Sequence, residues 1–190
     1  GLTGSTFYET PNVDALAKEG VFFSNAYAAN PVCSPTRASI LTGKYPSRIG
    51  LTNHSGYSGA QGPDHQLNPP KVIGHMPPED VTLAEALKVA GYTTAHVGKW
   101  HLQTHHEKGR MHFPEANGFD INVAGGKNGQ PASYYFPYTH EKYPQNNIPD
   151  LGDGKEGDYL TDALTDKAID FIEAQADSDQ PFFLNMWYHT

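Results

Sequence analysis

The hydrophobic positions of the chain fall into helical spacings and short apolar runs that alternate along the sequence. Helical spacing predicts helices at 11–20, at 82–91 and from 161 onward, and apolar runs predict strands at 21–23, 92–97 and 181–188. The second helix has the clearest start signal, because Thr82 and Glu85 form a capping box. Helices that alternate with buried strands are typical of an α/β fold, which binds ligands at the carboxyl ends of its strands.

Two long irregular stretches, 47–78 and 103–157, interrupt this alternation, and the first is dominated by Gly, Pro, His, Asn and Gln. Both exceed an ordinary connection, and loops of such length are usually functional or mobile. Hydrophobic residues make up 37% of the 190 residues, beside 19 glycines and 15 prolines. We therefore expect one domain with a modest sheet core and a loop-rich surface.

Charge and apolar length exclude two classes of partner. The net charge is −8 and no basic stripe is present, so we expect no nucleic-acid partner. No apolar run approaches the ~20 residues of a membrane span. An acidic protein that binds an anion must attract it locally. The single cysteine precludes an intrachain disulfide and leaves the compartment open.

That single cysteine, Cys33, stands at the predicted start of a short helix. Ser34 is a candidate N-cap, Pro35 suits the first helical position, and Gly43 can end the helix. Cys33 would then lie just outside the helix N-terminus, with Arg37 one turn further along. The helix dipole and the arginine together predict a site that attacks or holds an oxyanion.

A second polar pair, Lys99 and His101, follows the predicted strand 92–97. Alternation along an extended segment places both on one side and Trp100 on the other. Lysine offers a fixed positive charge, and histidine can exchange a proton near neutral pH. This pair is suited to an anionic substrate with a poor leaving group.

The two segments resemble the two signature motifs of type I sulfatases. The first is Cys-x-Pro-x-Arg at 33–37 continued by Ala-Ser-x-Leu-Thr-Gly at 38–43, and the second is Gly-Lys-Trp-His-Leu at 98–102. Thr36 departs from the serine that this family often has before the arginine. The resemblance implies an alkaline phosphatase-like α/β sandwich, with a mixed, largely parallel sheet flanked by helices. It also implies that residues 1–190 are an N-terminal part of the catalytic domain, without its first strand and its C-terminal portion.

The resemblance further implies hydrolysis of sulfate monoesters, either sulfated carbohydrates or aryl sulfates. Cys33 would be converted to formylglycine by a sulfatase-maturing enzyme, and the hydrated aldehyde would attack sulfur. Arg37 and Lys99 would hold the formylglycine, and His101 would bond its hydroxyl or the substrate, so that Lys99 and His101 also bind substrate. The family uses calcium, to which the formylglycine at position 33 would be a ligand. Export to the periplasm, a lysosome or the medium would be usual.

Other metal ligands of the family have no counterpart in this chain. Asp14 and Asp120 have no support as calcium ligands, and we expect the chain alone to be inactive. The family's further sulfate-binding histidine is expected beyond Thr190, with His189 only a minor candidate. The histidines His101, His105, His106 and His112 lack the spacing and the glutamate base of a zinc site.

Three alternatives remain open from the sequence. The chain could belong to a phosphonate or phosphate ester hydrolase of the same superfamily, or to a catalytically silent relative that binds sulfated glycans. It could also be an ordinary cysteine hydrolase, although the sequence signals no histidine base within reach of Cys33.

Overall fold

A computed structural model describes residues 1–57, 66–67, 70–103, 112–148 and 151–189. The helices are α1 (Pro11–Glu19), α2 (Cys33–Thr42), α3 (Pro46–Ile49), α4 (Leu83–Val89) and α5 (Leu160–Gln175). The strands are β1 (Thr93–Gly98), β2 (Ile121–Val123) and β3 (Phe182–Trp187), and short 3₁₀ helices span Pro114–Asn117 and Pro144–Asn146. None of the helices in these residues combines the length and apolarity that a membrane crossing needs.

The three strands form one parallel sheet in the order β2-β1-β3. Thr93 pairs with Phe182 and Gly98 with Trp187, so β1 and β3 end at the same level. The predicted α/β architecture with helices on a parallel sheet is confirmed. The described strands are all parallel, where the expectation allowed a mixed sheet.

Two hydrophobic clusters pack against opposite faces of the sheet. Along β3, Phe183 and Trp187 contact the cluster that contains α2, α4 and Trp100, whereas Leu184 and Met186 contact the cluster under α5. This period of two is what a strand buried on both faces requires. The sheet therefore has helices on each face, and its strand ends are left free to carry polar residues.

The strand predicted at 21–23 is wrong. Val21 is 79% exposed and Phe23 74% exposed, and the segment is irregular. An apolar run forms a strand only where a neighbouring edge accepts its hydrogen bonds, and no described strand pairs with it. Conversely, β2 lies inside the stretch 103–157 that was predicted to be irregular. It was not predicted because its three residues include the polar Asn122 and form no apolar run.

The other elements follow the sequence signals closely. Thr82 and Glu85 form the predicted capping box of α4, with Thr82 Oγ1 accepting from the Glu85 amide at 3.1 Å. The predicted strands at 92–97 and 181–188 are β1 and β3, and the helix predicted from Thr161 is α5. Both strands end at the level where Lys99 and His101 follow.

Candidate active site

Cys33 is the first residue of α2, two positions further into the helix than expected, and Pro35 is therefore the third helical residue instead of the first. The predicted N-cap role of Ser34 is wrong, because Val32 is the N-cap and the Ser34 hydroxyl is used elsewhere. Ser34 is buried, donates to the His101 carbonyl at 2.7 Å and accepts from the Ser55 amide at 2.9 Å. The end of the helix is as predicted, with Gly43 in the left-handed region at φ 68°. Ser34 thus ties the start of α2 to the segment that carries His101.

The end of β1 is shaped by Gly98, whose φ of 101° lies in the left-handed region. A Cβ there would lie 2.0 Å from the Trp187 carbonyl oxygen, so only glycine allows this close approach. The Lys99 amide then donates to the same carbonyl at 2.7 Å. This turn is how the strand end delivers Lys99 and His101 to the start of α2.

His101 is held by its backbone on both sides. Its φ of 58° lies in the left-handed region, which is strained for a histidine. Its amide donates to the Gly126 carbonyl at 2.9 Å, and its carbonyl accepts from Ser34. A Cβ at Gly129 would lie 2.6 Å from Cε1 of the His101 ring, so a glycine is required where this loop packs on the ring. The strain is compensated by these contacts and fixes the direction of the imidazole.

The side chains brought together are those that the sequence singled out. Cys33 Sγ lies 3.1 Å from His101 Nδ1. Arg37 donates from Nη1 to the Lys99 carbonyl at 2.6 Å, and its guanidinium lies 4.6 Å from the centre of the Trp187 ring. The start of α2 and the end of β1 therefore form one site around Cys33.

The site is positively charged and desolvated. Burial lowers the pKa of Arg37 to about 10, while proximity to Cys33 acts in the opposite direction. Burial also lowers the pKa of Lys99, against the raising effect of Cys33, and the charge of Arg37 lowers it further. Neither cation has a carboxylate partner among the described residues. Two partly buried cations without counter-ions favour an anionic ligand beside Cys33.

His101 is neutral at pH 7. Burial, reinforced by the charges of Lys99, His54 and Arg37, lowers the pKa of His101 to about 4. A neutral imidazole has one N–H and one bare nitrogen, so His101 can accept a proton from the group at position 33. The His54 ring stacks roughly parallel to it, with ring centres 6.2 Å apart. His54 could not be singled out from the sequence, because it lies in a stretch predicted to be irregular.

His189, given only a minor chance of approaching the site, lies within electrostatic range of it. The residue is 4% exposed, and burial together with the charges of Lys99, Arg37 and His101 lowers its pKa to about 3. Neither ring nitrogen has a hydrogen-bond partner among the described residues. The register of the two parallel strands could have indicated this position. Gly98 of β1 pairs with Trp187 of β3, so the residues that follow the two strands lie near each other.

A buried histidine on β1 supports the strand end from beneath. His96 Nδ1 lies 2.9 Å from Asn185 Nδ2 on β3, and Nε2 lies 3.1 Å from the Gly98 carbonyl. Burial lowers the pKa of His96 to about 3. Because His96 lies inside a predicted buried strand, a search for polar motifs does not single it out. Its contact with the Gly98 carbonyl nevertheless stabilises the turn that positions Lys99.

The residues near Cys33 do not by themselves fit calcium, which takes six or more oxygen ligands. No group of three metal-binding side chains occurs in the described part of the chain. Asp14 accepts from Thr10 Oγ1 at 2.8 Å, and Asp120 pairs with Lys88. His105 and His106 lie outside the described residues, and the ring of His112 stacks on His75 with centres 4.1 Å apart.

Comparisons with known proteins agree on one family. The family model described as Sulfatase matches residues 1–190. N-acetylgalactosamine-6-sulfatase of Mus musculus is 36% identical over 97% of this chain and 35% of its own length. The crystal structure of Ps i-CgsB in complex with k-i-k-neocarrahexaose gives a TM-score of 0.69 at 31% identity, over all of this chain and 42% of that one. A structure in complex with its substrate D-glucosamine-2-N,6-O-disulfate gives 0.60 at 32% identity, over 97% and 30%.

The chain therefore spans about a third of the length of the curated relatives that it matches. The parallel sheet and its flanking helices match those of the solved structures, which have an alkaline phosphatase-like fold.

Proposed function

The chain belongs to the sulfatase family, and from that premise we propose that the protein of which it forms part hydrolyses sulfate monoesters at position 33. The observation that carries the proposal is the convergence of Arg37 and Lys99, without carboxylate partners among the described residues, on Cys33 at the start of α2. Residues 1–190 would be an N-terminal part of the catalytic domain, which the coverage of about a third of each relative supports.

Each residue has a separate task in this proposal. Arg37 and Lys99 balance the charge of the sulfate oxygens, which is effective because partial burial strengthens the attraction. His101, held 3.1 Å from the side-chain atom of position 33, accepts or donates a hydrogen bond there and moves a proton. The backbone contacts of His101 with Ser34 and Gly126 keep that alignment during the reaction.

The proposal includes conversion of Cys33 to formylglycine by a maturing enzyme. The site suits this group, since the side chain of Cys33 faces an imidazole nitrogen and two cations rather than an apolar wall. When present, the group supplies a hydrated aldehyde as nucleophile, whose second hydroxyl permits release of sulfate. No step is assigned to calcium, because the described residues near Cys33 offer cations and imidazoles instead of carboxylate oxygens.

We propose a sulfated carbohydrate as the substrate class. The mouse relative is named for N-acetylgalactosamine 6-sulfate, and the two solved structures contain a neocarrahexaose and a sulfated glucosamine. These ligands differ from one another, so the particular sugar is not transferred to this chain. An exported location, as expected from the resemblance, would suit such a substrate.

Turnover by the full-length protein, co-expressed with a maturing enzyme, tests the proposal. We expect hydrolysis of an aryl sulfate and loss of that activity in Cys33→Ala, with the exposed-site variant His140→Gln as a matched control. Faster turnover of an aryl phosphonate than of the sulfate would instead support the phosphonate or phosphate ester hydrolase. Binding of sulfated sugars without any turnover would support the catalytically silent relative.

A second candidate, the cysteine hydrolase, gains one observation from the structure. The sequence signalled no histidine base, but His101 lies 3.1 Å from Cys33 Sγ, within hydrogen-bond reach. An unmodified thiol in a matured protein that cleaves carboxylic esters or amides would favour this candidate. The two cations beside the thiol have no carboxylate partner among the described residues, and they favour the sulfatase instead, because a sulfate monoester is negatively charged in its ground state whereas a carboxylic ester or amide is neutral.

A further inference from the structure

A cavity of about 180 Å³ opens beside the site, between His189 and the glycine-rich loop 124–130. The loop is attached to the site at two points, the Gly126 carbonyl that accepts from the His101 amide and the Gly129 backbone that packs on the His101 ring. The cavity is smaller than the roughly 300–1,000 Å³ of most ligand pockets, which suits a single ring.

The wall of the cavity nearest the cations contains a buried polar group without a partner. His189 lines the cavity, is 4% exposed and makes no hydrogen bond through either ring nitrogen to a described residue. A buried polar group left unsatisfied costs about 1–3 kcal/mol. A ligand that offers hydroxyl groups would satisfy both nitrogens, since a neutral imidazole is a donor at one and an acceptor at the other.

The loop 124–130 contributes further polar groups to the lining. Asn128 donates from Nδ2 to the Gln145 carbonyl, which leaves its buried Oδ1 without a partner among the described residues. Lys127 also lines the cavity and makes no ion pair with any described residue. The cavity lining therefore offers hydrogen-bonding groups from His189 and Asn128, and a positive charge in addition to those of Arg37 and Lys99.

We infer that this cavity is the subsite for the sugar that bears the scissile sulfate, and that Lys127 selects a sugar with a second anionic group. The inference rests on the proposed function and goes beyond it, since it assigns the sugar a place and a charge. His189 and Asn128 bind hydroxyl groups of the ring, and the Lys127 ammonium binds the second sulfate or a carboxylate.

The test is equilibrium binding to full-length protein carrying Cys33→Ala, which removes turnover. The probes are a hexose monosulfate and the corresponding hexose disulfates. We expect at least one disulfate to bind about 10- to 100-fold more tightly than the monosulfate, the range of a hydrogen bond between charged groups, and Lys127→Gln to remove this preference. The matched control is Lys142→Gln, which removes a lysine that lies over Tyr143 outside the cavity.

Equal binding of all the sugars, or an effect of Lys127→Gln no larger than that of Lys142→Gln, would overturn the inference. Failure of the proposed function is distinguished separately, because it appears as absence of turnover of both the aryl sulfate and the hexose sulfates in the matured protein with Cys33 intact. If that turnover is absent, a preference for disulfates that depends on Lys127 shows that the cavity binds sulfated sugars but overturns its role as the subsite of a scissile sulfate.

Discussion

Replacing Gly129 by alanine should disturb the chemistry through His101 without touching any charged group. The added Cβ would lie 2.6 Å from Cε1 and 2.9 Å from Nδ1 of the His101 ring. Carbon atoms in contact stay about 3.5–4.0 Å apart, so the ring or the loop must move by about 1 Å. His101 has little freedom to move, since Ser34 and Gly126 hold its backbone and it is buried beside Cys33. A displacement of about 1 Å at a catalytic group can reduce turnover about 100-fold.

The assay is kcat/KM for an aryl sulfate in the full-length matured protein, beside urea unfolding of the same samples. Gly154→Ala is the control, because its Cβ would lie 2.5 Å from the Phe136 ring, a clash of the same size against the hydrophobic cluster under α5 instead of the His101 ring. We expect both variants to lose about 1–3 kcal/mol of unfolding free energy, as overpacking does, and only Gly129→Ala to lose turnover. Turnover of Gly129→Ala equal to that of Gly154→Ala would refute the role given to the position of His101.

Two further predictions concern stability. Burial holds the pKa of His96 at about 3, against about 6.5 in an unfolded chain. Between these two pH values, only the unfolded state binds a proton at His96. Each pH unit below about 6.5 should therefore reduce the unfolding free energy by about 1.4 kcal/mol. Urea titrations at pH 7 and 5 should show a shallower dependence for His96→Gln than for the exposed-site variant His140→Gln, and equal slopes would contradict the account. Gly98→Ala should cost about 3 kcal/mol or more in the same titrations, because its Cβ would lie 2.0 Å from the Trp187 oxygen at a φ of 101°; a loss below about 1 kcal/mol would show that the turn relaxes.

The two motifs of the candidate site were predictable from sequence because they are local. Cys33 and Arg37 are one helical turn apart, and Lys99 and His101 follow directly from a strand, so each pair is specified by neighbouring residues. The parallel order of β1 and β3 was also within reach, since helices separate the apolar runs in the sequence. That the two pairs belong to one site was expected only from the family resemblance. In the structure, the contact between Cys33 and His101 brings them together.

The remainder depends on contacts between distant parts of the chain. Ser34 looked like an N-cap, but a hydroxyl that reaches two backbone groups 21 and 67 residues away has a tertiary role that local rules do not contain. The run 21–23 has the apolarity of a strand but no strand edge to pair with. His189 and Lys127 line one cavity because β3 and β2 flank β1 and end at the same edge of the sheet, from which both residues follow.

Mass spectrometry of the tryptic peptide 19–37 from full-length protein, purified from cells that contain a maturing enzyme, tests the central claim most directly. The account predicts an aldehyde at position 33, a peptide that has lost the sulfur and two hydrogens of Cys33 and gained one oxygen. A Cys33 thiol that persists in matured, sulfate-cleaving protein would contradict it.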